Sequence, residues 1–257
     1  MSKSLKQHCV DWWKQEARSF FTLLFCALLF RTCVYEMFQI PSGSMEPSLL
    51  IGDMPLVEKW AYGYSYHSIL FSPPLFKGRF FFSSPKRGEV VVFKLPADTS
   101  TNLIKRVIGL PGDRIQILNG VVHVNGEKAR LTPIPEKHFH KGDLAKGDLA
   151  QYVTDCYEEV LPGCTESHIV AYYPPHADHP CNHTKEFVVP ADHYFMMGDN
   201  RCFSQDSRFT IPGLIHKDLL VGRAVRVVYR LDASVRWWEF WLWFQNLYYD
   251  RTWHKIR

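Results

Sequence analysis

The sequence has no uninterrupted apolar run long enough for a helix to cross a membrane. Its longest run, FFTLLFCALLF at residues 20–30, is apolar except for Thr22 and falls well short of the roughly 20 residues that a spanning helix needs. Residues 19–40 have the required length, but they include Arg31 and Glu36, whose charged ends would have to reach an interface. We therefore expect one N-terminal transmembrane anchor over residues 19–40 that is imperfectly apolar.

The run also lacks a following Ala-x-Ala-like cleavage site, which disfavours the alternative that it is a removed signal peptide. Trp12 and Trp13 precede the run, where the aromatic belt of a retained anchor is expected. No Lys or Arg occurs between Arg31 and Lys59, whereas four basic residues precede the run: Lys3, Lys6, Lys14 and Arg18. The positive-inside rule therefore predicts that residues 1–18 are cytoplasmic and that the chain after the anchor is extracytoplasmic.

A dense stripe of Lys and Arg is also missing, and no nucleic-acid-binding motif is present. The net charge is only +4, which is too mild to indicate nucleic acid as a partner. A lipid bilayer is the simpler partner for this mildly basic chain. Hydrophobic residues make up 46% of the sequence, which is enough apolar surface to exclude disorder of the chain as a whole.

The seven cysteines form neither a paired Cys-x-x-Cys zinc pattern nor a regular disulfide framework. Cys156 and Cys164 are separated by a Pro-Gly turn, which suits a bridge in an oxidising compartment, although buried thiols would fit equally well. The pairing of Cys181 and Cys202 is left open. The histidines in the middle of the chain lack a tight ligand spacing, so we expect surface residues and no metal site: His138, His140, His168, His176, His179 and His183.

No long helical period follows the anchor, and the pattern there is mostly β. Alternating, β-branched runs occur at residues 88–95, 103–110, 113–127 and 220–231. The third of these runs predicts a hairpin, because Asn119-Gly120 suits a type I′ turn. We expect a mainly β domain over residues 41–131 and 186–232. Residues 132–185, which are rich in Pro, His, Tyr and charge, are expected to be a β-rich insertion or cap subdomain.

Residues 233–257 hold five of the eight tryptophans. Their apolar stretch is too short to span a membrane. It could form a helix that lies at the membrane interface, with its basic residues facing water. It could equally form a helix packed on its own domain, because amphipathicity does not distinguish a lipid from a protein partner.

Three clusters of polar residues carry potential chemistry: PSGSM at residues 41–45, IKRVIGLPGD at residues 104–113 and MMGDNRCFSQDSR at residues 196–208. Each cluster alone is typical of a turn or a solvated loop. Together they supply what peptide hydrolysis requires, because a serine hydroxyl becomes a nucleophile when a neutral lysine takes its proton.

Lys105 is the candidate base, because its neighbours on the predicted strand are apolar: Ile104, Val107 and Ile108. Whichever way the strand faces, either Lys105 or Arg106 lies against apolar surface, and a guanidinium does not deprotonate. Burial would lower the lysine pKa from about 10.4 toward the working pH, at a cost of about 3 to 4 kcal/mol. The alternative is an exposed lysine that discourages pairing at a sheet edge.

These three motifs, in this order and after an anchor, closely resemble the signature boxes of bacterial type I signal peptidases. Members of that family are membrane-anchored Ser/Lys endopeptidases that remove signal peptides from exported preproteins. The resemblance extends to SPKRGEVVVFKLP and FVVPADHYFMMGDNR, and it runs from the anchor to about Leu231. It implies a mainly β fold of coiled antiparallel sheets, with the catalytic domain at the outer face of the cytoplasmic membrane.

The resemblance also implies a role for each site residue. Ser44 is expected to be the nucleophile and Lys105 its general base, with Ser42 and the Ser44 backbone amide forming the oxyanion hole. Ser204 is expected to orient the Lys105 amine. Structural support is expected from six further residues: Gly52, Asp53, Asp199, Arg201, Asp206 and Arg208.

The implied substrates are preproteins with small residues before the cleavage site, bound as an added strand. No metal, organic cofactor or nucleic acid is implied, and a monomer would suffice. One departure from the family pattern lies in the last box, where Cys202-Phe203 replaces the usual polar pair. This departure puts the packing of that loop in doubt.

Three alternatives compete with this interpretation. A Ser/His/Asp arrangement using Ser44 with His123 or His193 lies in no motif. A LexA-like self-cleaving repressor also uses Ser and Lys, but it has a DNA-binding head where this chain has an anchor. An inactive membrane-anchored scaffold of the same fold would have no reason to bury a lysine.

Overall fold

The computed structural model describes residues 5–69, 72, 76–134, 155–172, 182–232, 235 and 239–257. The α-helices in this part are α1 (Leu5–Cys33) and α2 (Phe240–Asn246). The strands are β1 (Tyr35–Met37), β2 (Asp53–Glu58), β3 (Tyr64–Ser65), β4 (Arg79–Phe80), β5 (Val90–Leu95), β6 (Asp98–Gly109), β7 (Arg114–Leu118), β8 (Val121–Val124), β9 (Glu127–Lys128), β10 (Arg130–Ile134), β11 (Asp155–Val160), β12 (His168–Tyr172), β13 (Phe187–Val188), β14 (His193–Met197), β15 (Ile215–His216), β16 (Leu220–Arg230) and β17 (His254–Lys255).

Helix α1 leaves its apolar side chains largely exposed. Eight of them are between 41% and 71% exposed: Phe20, Phe21, Leu23, Leu24, Phe25, Leu28, Leu29 and Phe30. Within the described residues, no helix is both long enough and apolar enough to cross a membrane. The transmembrane anchor predicted over residues 19–40 is therefore not confirmed. The helix ends at Cys33, and the chain continues as β1, which pairs with β2 of the main sheet.

The main sheet is antiparallel and has the strand order β1-β2-β16-β5-β6-β14-β15, with β17 added beside β16. Residues 90–93 of β5 are buried and contact both faces of the sheet, which explains their continuous apolar sequence. Val92 belongs to one apolar cluster with Met45, and Val91 belongs to a second cluster with Met196. The predicted mainly β, antiparallel fold is thus confirmed.

The hairpin predicted within residues 113–127 is also confirmed. Strands β7 and β8 pair with Leu118 opposite Val121. Asn119 and Gly120 between them have φ of 50° and 78°, the left-handed conformations that a type I′ turn requires. The hairpin belongs to a smaller sheet of order β13-β7-β8-β9.

The predicted insertion over residues 132–185 contributes to a three-stranded sheet of order β10-β11-β12. Ala171 of β12 forms a parallel bridge with Asn200, so this sheet is joined directly to the loop after β14. The prediction that His168 is a surface residue is wrong, because its ring is only 5% exposed and pairs with Glu159. Other predicted residues lie outside the described residues: His138, His140, His176, His179 and Cys181.

The predicted disulfide between Cys156 and Cys164 is not formed. Cys164 carries a free thiol, and its Sγ donates to the carbonyl oxygen of Arg87 at 3.4 Å. Cys156 lies within β11, opposite Ala171 of β12. The turn between the two cysteines is closed by the Cys164 amide, which donates to the carbonyl oxygen of Leu161 at 3.0 Å. A covalent bridge is therefore not needed to close it.

The described part of the C-terminal segment packs on the main domain. Strand β17 pairs with β16, and Arg251 forms an ion pair with Asp53 of β2. Trp241 and Trp253 nevertheless remain 60% and 57% exposed. The contacts of this segment with its own domain thus leave two large aromatic surfaces facing outward.

Candidate active site

Ser44 lies in a 3-10 turn, Gly43–Met45, that follows an extension of β1. The extension continues along β2, because the Phe38 and Ile40 amides donate to the carbonyl oxygens of Pro55 and Asp53. Met45, directly after Ser44, is fully buried. The buried methionine fixes the turn on the domain and leaves the Ser44 side chain only half-buried.

Lys105 meets Ser44 from the opposite side, on β6. Its side chain is 3% exposed, and Nζ lies 2.5 Å from Ser44 Oγ. Burial lowers the pKa of Lys105 from 10.5 to about 8, although Asp206 and Asp199 oppose this change. A substantial fraction of the amine is therefore neutral near pH 8 and can accept the Ser44 proton.

Asp206 and Arg208, expected to give structural support, form an ion pair in the loop after β14. Arg208 Nε lies 2.8 Å from Asp206 Oδ1, and Asp206 Oδ2 accepts the Gly198 amide at 3.0 Å. Ser204 lies in the same loop, but its buried Oγ has no hydrogen-bond partner. The expected hydrogen bond from Ser204 to Lys105 is thus not formed in this structure, and the orienting role of Ser204 stays a prediction.

Gly198 is a site residue that the motif analysis did not single out. A Cβ built on it would overlap Ser204 Oγ and the carbonyl oxygen of Ser44. The absence of a side chain therefore lets the loop after β14 approach the Ser44 turn. Asn200 holds this loop against the Ser44 turn. Its backbone amide donates to the Ser44 carbonyl oxygen at 3.2 Å, and its Nδ2 donates to the Gly43 carbonyl oxygen at 3.0 Å.

Asp199 neutralises a second buried cation beside the site. Lys105 and Arg106 are both buried, although the strand pattern required burial of only one of them. Arg106 Nε donates to Asp199 Oδ1 at 2.7 Å. Burial alone would raise the pKa of Asp199, but Arg106 outweighs burial and lowers it. Asp199 thus neutralises Arg106, whose guanidinium stays charged, and Lys105 is the one of the two that can lose its proton.

Arg201 connects the site to the three-stranded sheet through Glu159 of β11. Arg201 Nη1 donates to Glu159 Oε1 at 2.9 Å, and His168 Nε2 lies 2.9 Å from Glu159 Oε2. Burial would raise the pKa of Glu159, but Arg201 and His168 lower it to about 2. The sequence analysis did not identify Glu159 and His168 as partners of Arg201 near the site. No short motif contains these residues together with Arg201, so their contacts could not be found from local sequence.

Gly52 and Asp53 shape the turn behind Ser44. Gly52 has a φ of +89°, and a Cβ there would overlap the carbonyl oxygen of Leu231, so glycine suits this position. Asp53 Oδ2 accepts the Leu50 amide at 2.9 Å and also pairs with Arg251. Ser42 lies on the other side of Ser44, exposed and in an extended conformation.

The histidines of the Ser/His/Asp alternative each contact a backbone carbonyl oxygen two residues earlier in the chain. His123 Nδ1 lies 3.1 Å from the carbonyl oxygen of Val121, and His193 Nδ1 lies 2.8 Å from that of Ala191. Both rings are thus bound to their own backbone. Over the described part of the chain, no group of three or more His, Cys, Asp or Glu residues is placed to hold a metal.

Strand β6 has an open edge next to Lys105. On one side it pairs with β5 from Asp98 to Arg106, and on the other it pairs with β14 only from Arg106 to Gly109. Among the described residues, nothing pairs with the second edge at residues 98–105. An extended peptide added along this edge would pass Ser44, which lies at its end.

Comparisons with known proteins give one consistent result. A family model described as "Signal peptidase, peptidase S26" matches residues 13–229. Signal peptidase I of Rickettsia typhi is 35% identical over 231 residues, which cover 88% of this chain and 83% of that protein. Signal peptidase I of Rickettsia akari is 33% identical over 243 residues, which cover 93% of this chain and 84% of that protein.

A solved structure is also similar to this chain. A signal peptidase I from Enterococcus faecalis is 22% identical, with a TM-score of 0.31. The alignment covers 55% of this chain and 97% of that chain. The family model and the Rickettsia proteins cover most of this chain.

Proposed function

Because the chain belongs to the peptidase S26 family of signal peptidases, it is a serine endopeptidase that acts on signal peptides, and we propose that Ser44 and Lys105 perform the cleavage. The observation that carries this proposal is the 2.5 Å separation of Ser44 Oγ and Lys105 Nζ. The lowered pKa of the buried amine supports it, because a lysine must be neutral to act as a base.

In the proposed reaction, neutral Lys105 takes the Ser44 proton as Oγ attacks the carbonyl carbon of the scissile peptide. The negative charge on the carbonyl oxygen is stabilised by the Ser44 backbone amide and the Ser42 hydroxyl. The Lys105 ammonium then gives its proton to the leaving amine, and an acyl-enzyme ester remains on Ser44. Lys105 next activates a water molecule that hydrolyses this ester and restores the serine.

The substrate is proposed to bind as an additional strand along the open edge of β6. Its backbone would pair with residues 98–105, and alternate side chains would point into the domain. Small residues before the cleavage site are proposed because the resemblance of the sequence motifs to signal peptidases implies them. Preproteins with such sites are therefore the proposed substrates.

A membrane location is proposed from the exposed apolar surface of α1. Side chains at residues 20–30 would be costly to leave in water. We place them in the cytoplasmic (inner) membrane, with residues 1–18 on the cytoplasmic side and the catalytic domain outside. The exposed Trp241 and Trp253 could contact the same bilayer. One copy of the chain contains the whole proposed site.

The test is cleavage of a synthetic preprotein by the full-length chain in detergent, comparing the wild type with Ser44→Ala and Lys105→Ala. Each substitution is expected to lower kcat by about 1,000-fold or more, because the pair acts as a unit. Exposed matched residues serve as controls, and Ser83→Ala and Lys128→Ala should retain wild-type turnover.

Full turnover by either site variant would overturn the assignment of the pair. An inert wild type would favour the inactive scaffold instead. Circular dichroism of each variant shows whether a loss of activity comes from the site rather than from unfolding.

A further inference from the structure

A polar cavity of about 420 Å³ lies elsewhere in the domain, and neither Ser44 nor Lys105 lines it. We call it the Lys94 cavity. Its inner wall is built from ionisable side chains, and its rim carries hydroxyl and amide groups. The residues that matter here are Glu36, Lys59, His67, Lys94, Thr99 and Asn102.

The Lys94 cavity is located where α1 joins the domain. Glu36 follows closely after the last residue of α1, Cys33. The Lys59 amide donates to the carbonyl oxygen of Val34 at 3.0 Å, so this wall is fastened to the helix end. The opposite wall belongs to the β5–β6 hairpin, in which Lys94 lies opposite Asn102.

The cavity has an excess of positive charge. Its one carboxylate, Glu36, is already engaged, because Arg31 Nη2 lies 3.0 Å and Lys59 Nζ lies 2.7 Å from its oxygens. No carboxylate of the described chain is within ion-pair distance of Lys94. Burial and the nearby Lys59 lower the pKa of Lys94, which Glu36 and Asp98 only partly oppose.

His67 is a second buried polar side chain that lines the cavity. Its ring is only 5% exposed, yet Nδ1 has no hydrogen-bond partner. Buried polar atoms normally have such a partner. Burial, Lys94 and Arg79 lower the pKa of His67, while Asp218 opposes them. An anion in the cavity would offset the positive charge that surrounds His67.

We propose that the Lys94 cavity binds a phosphate-type anion and that this anion is the phosphate of a phospholipid headgroup. Lysine ammonium, imidazole and hydroxyl groups are suitable donors to phosphate oxygens. A lipid is the favoured source because the cavity adjoins the end of α1, whose exposed apolar side chains are proposed to lie in a bilayer. The inference rests on that membrane placement, but it does not involve Ser44 or Lys105.

The test uses the full-length chain in a phosphate-free neutral detergent. Isothermal titration calorimetry measures the dissociation constant of dihexanoyl phosphatidic acid, added below its micelle concentration. Lys94→Gln is expected to weaken binding at least tenfold. Lys128→Gln removes an exposed lysine from β9 and is expected to leave binding unchanged.

Two further titrations identify the source of the anion. Inorganic phosphate should bind at least tenfold more weakly than the lipid, because it lacks the apolar chains. Equal affinity for inorganic phosphate would overturn the lipid assignment. Displacement of the lipid by an acidic peptide, at a concentration where a neutral peptide has no effect, would overturn it in favour of a peptide site.

Unchanged lipid binding by Lys94→Gln would overturn the anion site itself. Should that variant fail to fold, Ser72→Ala is the second variant, because Ser72 also lines the cavity but lies outside the proposed substrate-binding edge of β6; it is expected to weaken binding at least threefold. Cleavage of a soluble peptide by Lys94→Gln should equal that of the wild type. The anion site and the proposed catalytic pair can thus fail independently.

Discussion

The pKa of Lys105 is set by opposing contributions from its surroundings. Burial and the like charge of Arg208 lower it, whereas the carboxylates of Asp206 and Asp199 raise it. The result, about 8, lies close to the range in which a base works best. The Asp206–Arg208 pair therefore influences the pKa of Lys105, the proposed base, in addition to its contacts within the loop.

We predict that kcat/KM rises with pH and levels off above about 8, because Lys105, the proposed base, must be neutral to accept a proton and its pKa is about 8. Below that value kcat/KM should fall about tenfold for each pH unit. The measurement is kcat/KM for a soluble peptide between pH 6 and pH 10. A profile that is flat between pH 6 and pH 8 would contradict the assignment of Lys105 as the base.

Arg208 offers a control for this profile. Replacing it by Gln removes a charge that lowers the pKa of Lys105 and leaves the opposing Asp206 in place. In Arg208→Gln the pKa of Lys105 should therefore be higher, and the rise of kcat/KM with pH should occur at higher pH. It should stay close to its original position in Arg208→Lys, which keeps the charge.

At the scale of elements, the buried pair of Glu159 and Arg201 joins β11 to the loop after β14. The backbone reinforces this junction, because the Arg201 amide donates to the Ala171 carbonyl oxygen at 2.9 Å. The next residue back in the chain, Asn200, holds the Ser44 turn. The three-stranded sheet thus contributes to the position of Ser44 without contacting it.

We predict that Glu159→Gln lowers the free energy of unfolding by about 3 to 5 kcal/mol, since it leaves the Arg201 charge buried and unpaired. Chemical denaturation in detergent at pH 7 measures this loss. Glu158→Gln, at the exposed neighbouring position, is the matched control and should cost less than about 0.5 kcal/mol.

The stabilisation by Glu159 should depend on pH in a defined direction. Its pKa is lowered from 4.5 to about 2 on folding. The stabilisation is therefore fully present above 4.5 and is lost as the pH falls through 2. Equal free energies of unfolding for the wild type and Glu159→Gln at pH 7 would show that the Glu159–Arg201 ion pair does not stabilise the fold.

Local sequence patterns predicted several of these features correctly. Asn119-Gly120 specified its own turn, and the apolar neighbours of Lys105 signalled its burial. The ion pairs could not be predicted in the same way, because Arg106 and Asp199 are 93 positions apart and Glu159 and Arg201 are 42 apart. Tertiary packing selects such partners, and no short motif contains both. The same limit applies to Cys156 and Cys164, since the turn pattern left a disulfide and buried thiols equally open and did not reveal the contact of Cys164 with Arg87.

At the scale of the whole molecule, α1 gives the protein a large apolar surface outside its core. We predict that replacing Phe21, Phe25 and Leu29 together by Gln lowers partitioning into phospholipid vesicles at least 100-fold. Each of these side chains is more than half exposed, and transferring one from water to lipid is worth about 1.5 to 3 kcal/mol. Co-sedimentation with vesicles measures the change.

Two controls define this result. Substituting the exposed Leu118 and Val188 of the β domain by Gln should leave vesicle binding unchanged. The α1 variant should also still cleave a soluble peptide, because its substitutions lie far from Ser44 along the chain. Unchanged vesicle binding by the α1 variant would show that this helix does not hold the protein at the membrane.

The open edge of β6 has a consequence for the timing of cleavage. A partner strand must offer free backbone N–H and C=O groups over several residues, and a folded protein has already committed those groups to its own helices and sheets. In the proposed binding mode, short sequences with small residues inside a folded domain would therefore not be bound or cleaved. The preprotein itself thus controls when it is cut, through the interval in which its cleavage region remains unstructured.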